Sequence, residues 1–300
     1  MEVVAIDLGS NTLRVIGRDC EKGVFTLEYE KMVKTADKLI QTQQISPQAV
    51  QRIIEALKEA DAHLDFSTKK VKATTTAAMR MADNAVEVID TIFKQTGVLF
   101  EIIEASFEAY LTNLGVSKRM DSLGLGSDPF FLLDVGGGST EVIYSFNGTF
   151  TSKSLDVGIV TMSQKYTTKE TLVAAMYQAF EPLKDFKDDV QKERPAKSLV
   201  ATAGTPTTMA SLKHGLTVAT YDAKKINGTI LSVSDLDQGL QRLMSMDEMQ
   251  RSKHVGVGRD ILIIAGVEIL KVLYDILGFE SAIVIDDGLR EGLAIHSCSS

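Results

Sequence analysis

The sequence predicts an α/β protein made of two similar domains, and three observations carry that expectation. An internal repeat sets Ala5-Ile6-Asp7-Leu8-Gly9-Ser10-Asn11-Thr12-Leu13-Arg14-Val15-Ile16 over Leu132-Leu133-Asp134-Val135-Gly136-Gly137-Gly138-Ser139-Thr140-Glu141-Val142-Ile143 without a gap. Apolar, strand-like runs alternate with amphipathic helical stretches through most of the chain. The length of 300 residues suits two domains at about 150 residues each.

Each copy of the repeat reads as an apolar strand ending in Asp, a small-residue turn and a second apolar strand, which is the pattern of a tight β-hairpin. A further strand is expected over 23–33. Ser46-Pro47 then opens a capped helix whose Ala49, Ile53, Ile54, Leu57 and Ala60 fall at helical spacing. Strands at 70–74 and 99–103 alternate with helices at 85–96 and 107–116. The second half repeats the scheme, with hairpin strands over 130–156, helices across 158–193 and a strand at 198–202 that runs into a Gly-containing turn. Helices are expected at 206–214, 234–245 and 259–277, a strand at 282–285 and a helix from Leu289. The turn-rich stretch Ser122-Leu123-Gly124-Leu125-Gly126-Ser127-Asp128-Pro129 marks the boundary. It gives domains 1–124 and 125–287, with helix 288–300 returning to the first.

Composition narrows the function classes. Hydrophobic content of 44% with 24% charged residues and five prolines is that of a folded globular chain. A net charge of −8 disfavours broad binding to nucleic acid or anionic membrane, so a polyanion must meet a local basic patch. Cys20 and Cys298 lie at opposite ends of the sequence without a pairing pattern, so neither a disulfide framework nor a zinc site is expected and a reducing cytoplasm fits. Val3-Val4-Ala5-Ile6-Asp7 is not a signal peptide, and Ile261–Leu277, interrupted by Glu268, Lys271 and Asp275, reads as an amphipathic helix rather than a membrane span. His63, His214, His254 and His296 do not pair at metal-ligand spacing, and no Ser/His/Asp or Cys/His set is evident.

Turns of Gly, Ser, Asn and Thr bring main-chain N–H groups close to an anion, because small side chains admit positive φ and leave room for phosphate oxygens. Asp7 and Asp134 precede those turns, where a carboxylate holds Mg²⁺, usually through water, opposite phosphate oxygens. One Asp-x-Gly is an ordinary turn. Two matched copies, the second with three glycines, call for a common ligand.

The motifs Asp7-Leu8-Gly9-Ser10-Asn11-Thr12, Ala73-Thr74-Thr75-Thr76-Ala77-Ala78-Met79-Arg80-Met81-Ala82-Asp83-Asn84, Glu108-Ala109-Tyr110-Leu111, Asp134-Val135-Gly136-Gly137-Gly138-Ser139-Thr140-Glu141, Ala203-Gly204-Thr205 and Gly288-Leu289-Arg290-Glu291-Gly292 occur in an order that resembles the exopolyphosphatase / guanosine pentaphosphate phosphatase family of the actin-like ATPase superfamily. The resemblance covers nearly the whole chain. It implies two actin-like (ribonuclease H-like) α/β domains with a cleft between them. It also implies a phosphohydrolase that releases terminal phosphate from inorganic polyphosphate or guanosine pentaphosphate, with Mg²⁺, or alternatively Mn²⁺, as cofactor.

By the same resemblance, Glu108 orients or deprotonates the attacking water, a role that suits a carboxylate, and Glu141 is the second catalytic acid. Asp7, Asp134 and Glu141 hold the metal. Gly9, Ser10, Asn11, Thr12, Arg80, Asn84, Gly136, Gly137, Gly138, Ser139, Thr140, Gly204 and Thr205 contact phosphate, with Arg80 able to take two oxygens at once. The aligned partner of Glu141 in the first copy is Arg14, an asymmetry that suggests a division of labour. Arg251, Lys253 and Arg259, with His254, form the local basic patch expected to meet a long polyanion.

Two departures stand out: Arg259-Asp260-Ile261 replaces the usual Arg-Ala-Asp, and Thr161 stands where relatives often carry arginine, which removes a cation. The chain also resembles the short family members, which lack extra C-terminal helical domains. A polyphosphate or guanosine polyphosphate ligand is the expected partner, in the cytoplasm, with no nucleic acid and no membrane; a homodimer enters through the resemblance alone. The competing readings are an actin-like small-molecule kinase, from the shared architecture, and a non-hydrolytic guanosine polyphosphate sensor.

Overall fold

The apolar run from Val3 to Ile6 lies fully buried at the centre of a five-stranded sheet, as a strand covered on both faces requires. In this computed structural model, which describes residues 1–126, 128–166, 168–256 and 260–299, β1 (Glu2–Leu8) pairs antiparallel with β2 (Thr12–Asp19), and β2 with β3 (Val24–Met32). On its other side β1 pairs parallel with β4 (Lys70–Thr75), and β4 with β5 (Phe100–Ile102). Between β3 and β4 run a one-turn helix α1 (Leu39–Thr42) and α2 (Pro47–Leu64). The Ser46 side chain caps α2 by accepting from the Ala49 N–H at 3.2 Å, and Pro47 occupies its first turn. Helices α3 (Ala77–Met81) and α4 (Ala85–Thr96) connect β4 to β5, and α5 (Ala105–Ser122) follows.

The second sheet repeats this order. β6 (Phe130–Val135) pairs antiparallel with β7 (Thr140–Phe146), which pairs with β8 (Thr149–Leu155). Helices α6 (Ile159–Lys165), α7 (Lys169–Ala179) and α8 (Pro182–Gln191) lead to β9 (Ser198–Thr202), parallel to β6. Then come α9 (Gly204–Lys213), α10 (Ala223–Ile226), β10 (Thr229–Ser232), α11 (Val233–Ser245), α12 (Glu248–Val255), α13 (Asp260–Leu277), β11 (Ser281–Val284) and α14 (Leu289–Ser299). The strand orders are β3-β2-β1-β4-β5 and β10-β11-β9-β6-β7-β8. Read from β8 inward, the second sheet is the first with one added edge strand.

The chain forms two compact units, Met1–Gly115 with Leu289–Ser300 and, separately, Val116–Gly288. The division falls inside α5, upstream of the turn-rich 122–129 stretch. In the first unit α14 packs Leu289, Leu293 and Ala294 against Ala5, Ile16, Ile103 and Leu111. Gly292 is required there, since any Cβ would run into the Leu111 carbonyl. In the second unit α13 is the central helix, burying Val267, Ile269, Leu270, Leu273 and Tyr274 against Phe131, Leu133 and Leu199, each large side chain contributing about 1.5–3 kcal/mol of transfer free energy. Among the described residues no helix is long and apolar enough to cross a membrane.

One expectation is overturned. Cys20, just past β2, and Cys298 on α14 form a disulfide with a Cα–Cα distance of 5.4 Å across a sequence separation of 278. Pairing over such a distance is dictated by α14 returning to the first sheet, which no local cysteine pattern reveals. The expected reducing compartment thereby loses the observation that supported it.

Candidate active site

The two repeat turns have the same main-chain construction. Gly9 N–H donates to the Thr12 carbonyl at 3.0 Å, and Gly136 N–H to the Ser139 carbonyl at 3.0 Å. The carbonyls face into protein: Ser10 O accepts from Ala36 N–H and Asn11 O from Val33 and Lys34 N–H, while Gly137 O accepts from Val160 and Thr161 N–H. The N–H groups of Ser10 and Asn11, and those of the aligned Gly137 and Gly138, donate to no acceptor among the described residues. Two donors at each tip thus stand ready for an external anion. Ser10, Thr12, Ser139 and Thr140 are buried side chains, and the Thr140 hydroxyl donates to the Val157 carbonyl at 2.6 Å.

Gly158, at the start of α6, presses on the second turn so closely that a Cβ would overlap the Gly137 carbonyl and the Gly138 nitrogen. No sequence motif singles out this glycine, three residues before Thr161. Thr161 itself is buried, and its hydroxyl accepts from the Gly158 N–H at 2.9 Å. It braces the start of α6.

Register sets the carboxylates. In the first unit Asp7 lies across from Arg14 on β2 and Thr74 on β4; in the second, Asp134 lies across from Glu141 on β7 and Thr202 on β9. Cross-strand partners share a face, so the second sheet presents two carboxylates together where the first presents a carboxylate and a guanidinium. Arg14 reaches Glu30 at 3.3 Å. Glu141 is 1% exposed and accepts a hydrogen bond from Ser154 at 2.8 Å, a positioning partner not singled out from sequence.

Glu108 sits in the first turn of α5, and Arg80 is on α3 after β4. Because β4 and β5 are parallel neighbours, the helices that follow them start side by side. Arg80 Nη1 donates to Glu108 Oε2 at 2.8 Å and to the Ile103 carbonyl at 2.8 Å. Its Nε and Nη2 groups have no protein acceptor among the described residues, which leaves a donor edge that an anion could meet. Asn84 is otherwise engaged: its amide donates to the Ile45 carbonyl at 3.0 Å and accepts from the Ile45 N–H at 2.9 Å.

Gly204 and Thr205 open α9, preceded by Ala203 at φ 76° and ψ −175°. Thr205 is buried and packs on Gly266 of α13. Of the basic patch, Arg251 donates Nη2 to the Met246 carbonyl at 3.1 Å and Lys253 is exposed on α12; Arg259 lies outside the described residues.

Among the described residues no three His, Cys, Asp or Glu side chains converge on a metal position. Asp7, and the Asp134–Glu141 pair, nevertheless supply all-oxygen donors of the kind Mg²⁺ uses, since it keeps most of its waters and takes one or two carboxylates plus phosphate oxygens.

Residues 22–300 match the Ppx/GppA phosphatase family. The chain belongs to that family. Ppx/GppA likeness extends to solved structures: a family member from Aquifex aeolicus is 27% identical with a TM-score of 0.75, covering 99% of this chain and 97% of its own. An exopolyphosphatase from Cytophaga hutchinsonii, 21% identical, shares the fold with a TM-score of 0.86 over 100% of this chain and 98% of its own. The fold is the two-domain α/β architecture of the actin-like superfamily. Among curated relatives, Exopolyphosphatase 2 of Mycobacterium tuberculosis is 27% identical over 98% of this chain and 97% of its own length. A bifunctional 3-dehydroquinate synthase/phosphatase of Fusobacterium nucleatum is 26% identical over 94% of this chain, which spans 44% of that relative.

Proposed function

We propose that this Ppx/GppA protein hydrolyses the terminal phosphoanhydride of inorganic polyphosphate. The observation that carries the reading is the pair of matched turns, each closed by the same hydrogen bond, each offering two unspent N–H donors and each preceded by a strand-end Asp. Phosphoryl transfer depends mainly on positioning and on neutralising charge over the phosphate oxygens. The turn donors and the open edge of Arg80 hold those oxygens. Asp7 in the first unit, and the Asp134–Glu141 pair in the second, are the side chains that would hold Mg²⁺, which supplies charge neutralisation when bound. Glu108, fixed by Arg80, orients a water and accepts its proton as the water oxygen bonds to the terminal phosphorus. The bridging P–O bond breaks, and the electron pair leaves on the shortened chain. The relatives named exopolyphosphatases support this substrate class.

Guanosine pentaphosphate presents the same kind of terminal anhydride, so the test includes it. Purified protein with Mg²⁺ is assayed for phosphate release from polyphosphate of several lengths, from guanosine pentaphosphate, and from ATP with and without acceptors. Release from polyphosphate that is lost in Glu108→Gln is the expected result. Tight binding without release moves the protein to a sensor, and acceptor-dependent ATP consumption to a kinase.

A further inference from the structure

Thr74 lies on β4 directly across from Asp7, and the two side chains share one face of the sheet. It is 3% exposed, and its hydroxyl has no hydrogen-bond partner among the described residues. Its neighbour Thr75, equally inaccessible, donates to the Leu8 carbonyl at 2.8 Å. The second unit provides the control: Thr202, which faces Asp134 as Thr74 faces Asp7, donates to the Asp287 carbonyl at 2.9 Å. Topology therefore does not orphan a threonine at this position. A buried hydroxyl left unmade is destabilising, and valine of the same shape would remove that penalty.

We infer that Thr74 is a positioning residue of the Asp7 half-site, with its hydroxyl hydrogen-bonded to the water shell of a divalent cation held by Asp7. The inference rests on the proposed metal role of Asp7. Asp7 lies between Arg14 and Thr74. A cation is repelled from the guanidinium side and drawn to the side that offers oxygen. A hydroxyl there accepts from a metal-bound water and so orients the carboxylate's ion, much as outer-shell partners do at other metal sites.

The test measures Mn²⁺ binding to the intact protein through loss of the free-ion EPR signal, with melting temperatures in chelator. Thr74→Val is expected to weaken Mn²⁺ binding by roughly tenfold or more, the usual scale for a lost outer-shell partner, while melting at or above the parent temperature without metal. Thr74→Ser, which keeps the hydroxyl, restores affinity. Unchanged Mn²⁺ affinity in Thr74→Val overturns the inference, and so does a metal-free melting temperature below the parent's, which would make the hydroxyl a structural group. Asp7→Asn reads the premise separately: Mn²⁺ binding with the parent's stoichiometry and affinity there sinks the metal role of Asp7, since the Asp134–Glu141 pair alone would give less, whereas the role of Thr74 is decided by its own variants.

Discussion

Arg80 and Glu108 form an ion pair of 2.8 Å with side chains 19% and 8% exposed, which ties the helix after β4 to the helix after β5. A pair so placed lies between the surface and buried regimes. Arg80→Ala should therefore cost about 2 kcal/mol of stability and lower turnover as well. Glu108→Gln keeps volume and a hydrogen-bonding partner, so it should stay folded while turnover falls by about 10²-fold or more. Chemical denaturation and phosphate release on both variants check this. A Glu108→Gln protein with parental turnover would remove Glu108 from the chemistry.

Gly158→Ala should injure function and lower stability as well. The added methyl meets the Gly137 carbonyl and the Gly138 nitrogen, so the glycine-rich turn must shift. Misplacement of about 1 Å costs roughly 10²-fold in rate. Steady-state kinetics should show that loss with a circular dichroism spectrum like the parent's; full activity would mean that the turn has slack.

Ala203 occupies φ 76°, ψ −175°, a region close to glycine's own and costing about 1–3 kcal/mol for other residues. Glycine relieves that strain but loses about 0.5–1 kcal/mol through the greater freedom of the unfolded chain. Ala203→Gly should thus be stabilising by about 1 kcal/mol, read as a higher denaturation midpoint. A lower midpoint would show that the Ala203 methyl contributes packing that outweighs strain.

Reduction of Cys20–Cys298 should lower the melting temperature. A cross-link spanning 278 residues contributes up to about 5 kcal/mol in the chain-entropy account. Cys20→Ser should reproduce the loss and make the protein insensitive to reductant; a reductant-sensitive melting temperature in that variant would locate the effect elsewhere.

Most of the architecture was legible because its signals are local. The capped start of α2 is written in Ser46-Pro47, and the two hairpins in an ungapped repeat whose closing hydrogen bonds prove identical. What escaped depends on long-range pairing. β10 is four residues at a sheet edge, too short for alternation to register. The Glu108 partnership joins residues 28 apart, and only the parallel β4–β5 pairing brings them together. The orphan hydroxyl of Thr74 was hidden in a run of three threonines, since its meaning lies in what Thr75 and Thr202 have and Thr74 lacks. Asn84, placed in the phosphate set by motif, spends its amide on Ile45, a use that the motif does not disclose.

The chain leaves the first unit at Gly115 and re-enters it at Leu289, so the order of synthesis matters. A ribosome delivers all of Val116–Gly288 before it delivers α14. At about 5–20 residues per second the first sheet waits on the order of ten to thirty seconds, its Ala5, Ile16 and Leu111 face lacking Leu289, Leu293 and Ala294. During that interval the nascent chain carries a finished inserted unit beside an unsealed host, and the apolar face left open is the one that a chaperone would grip.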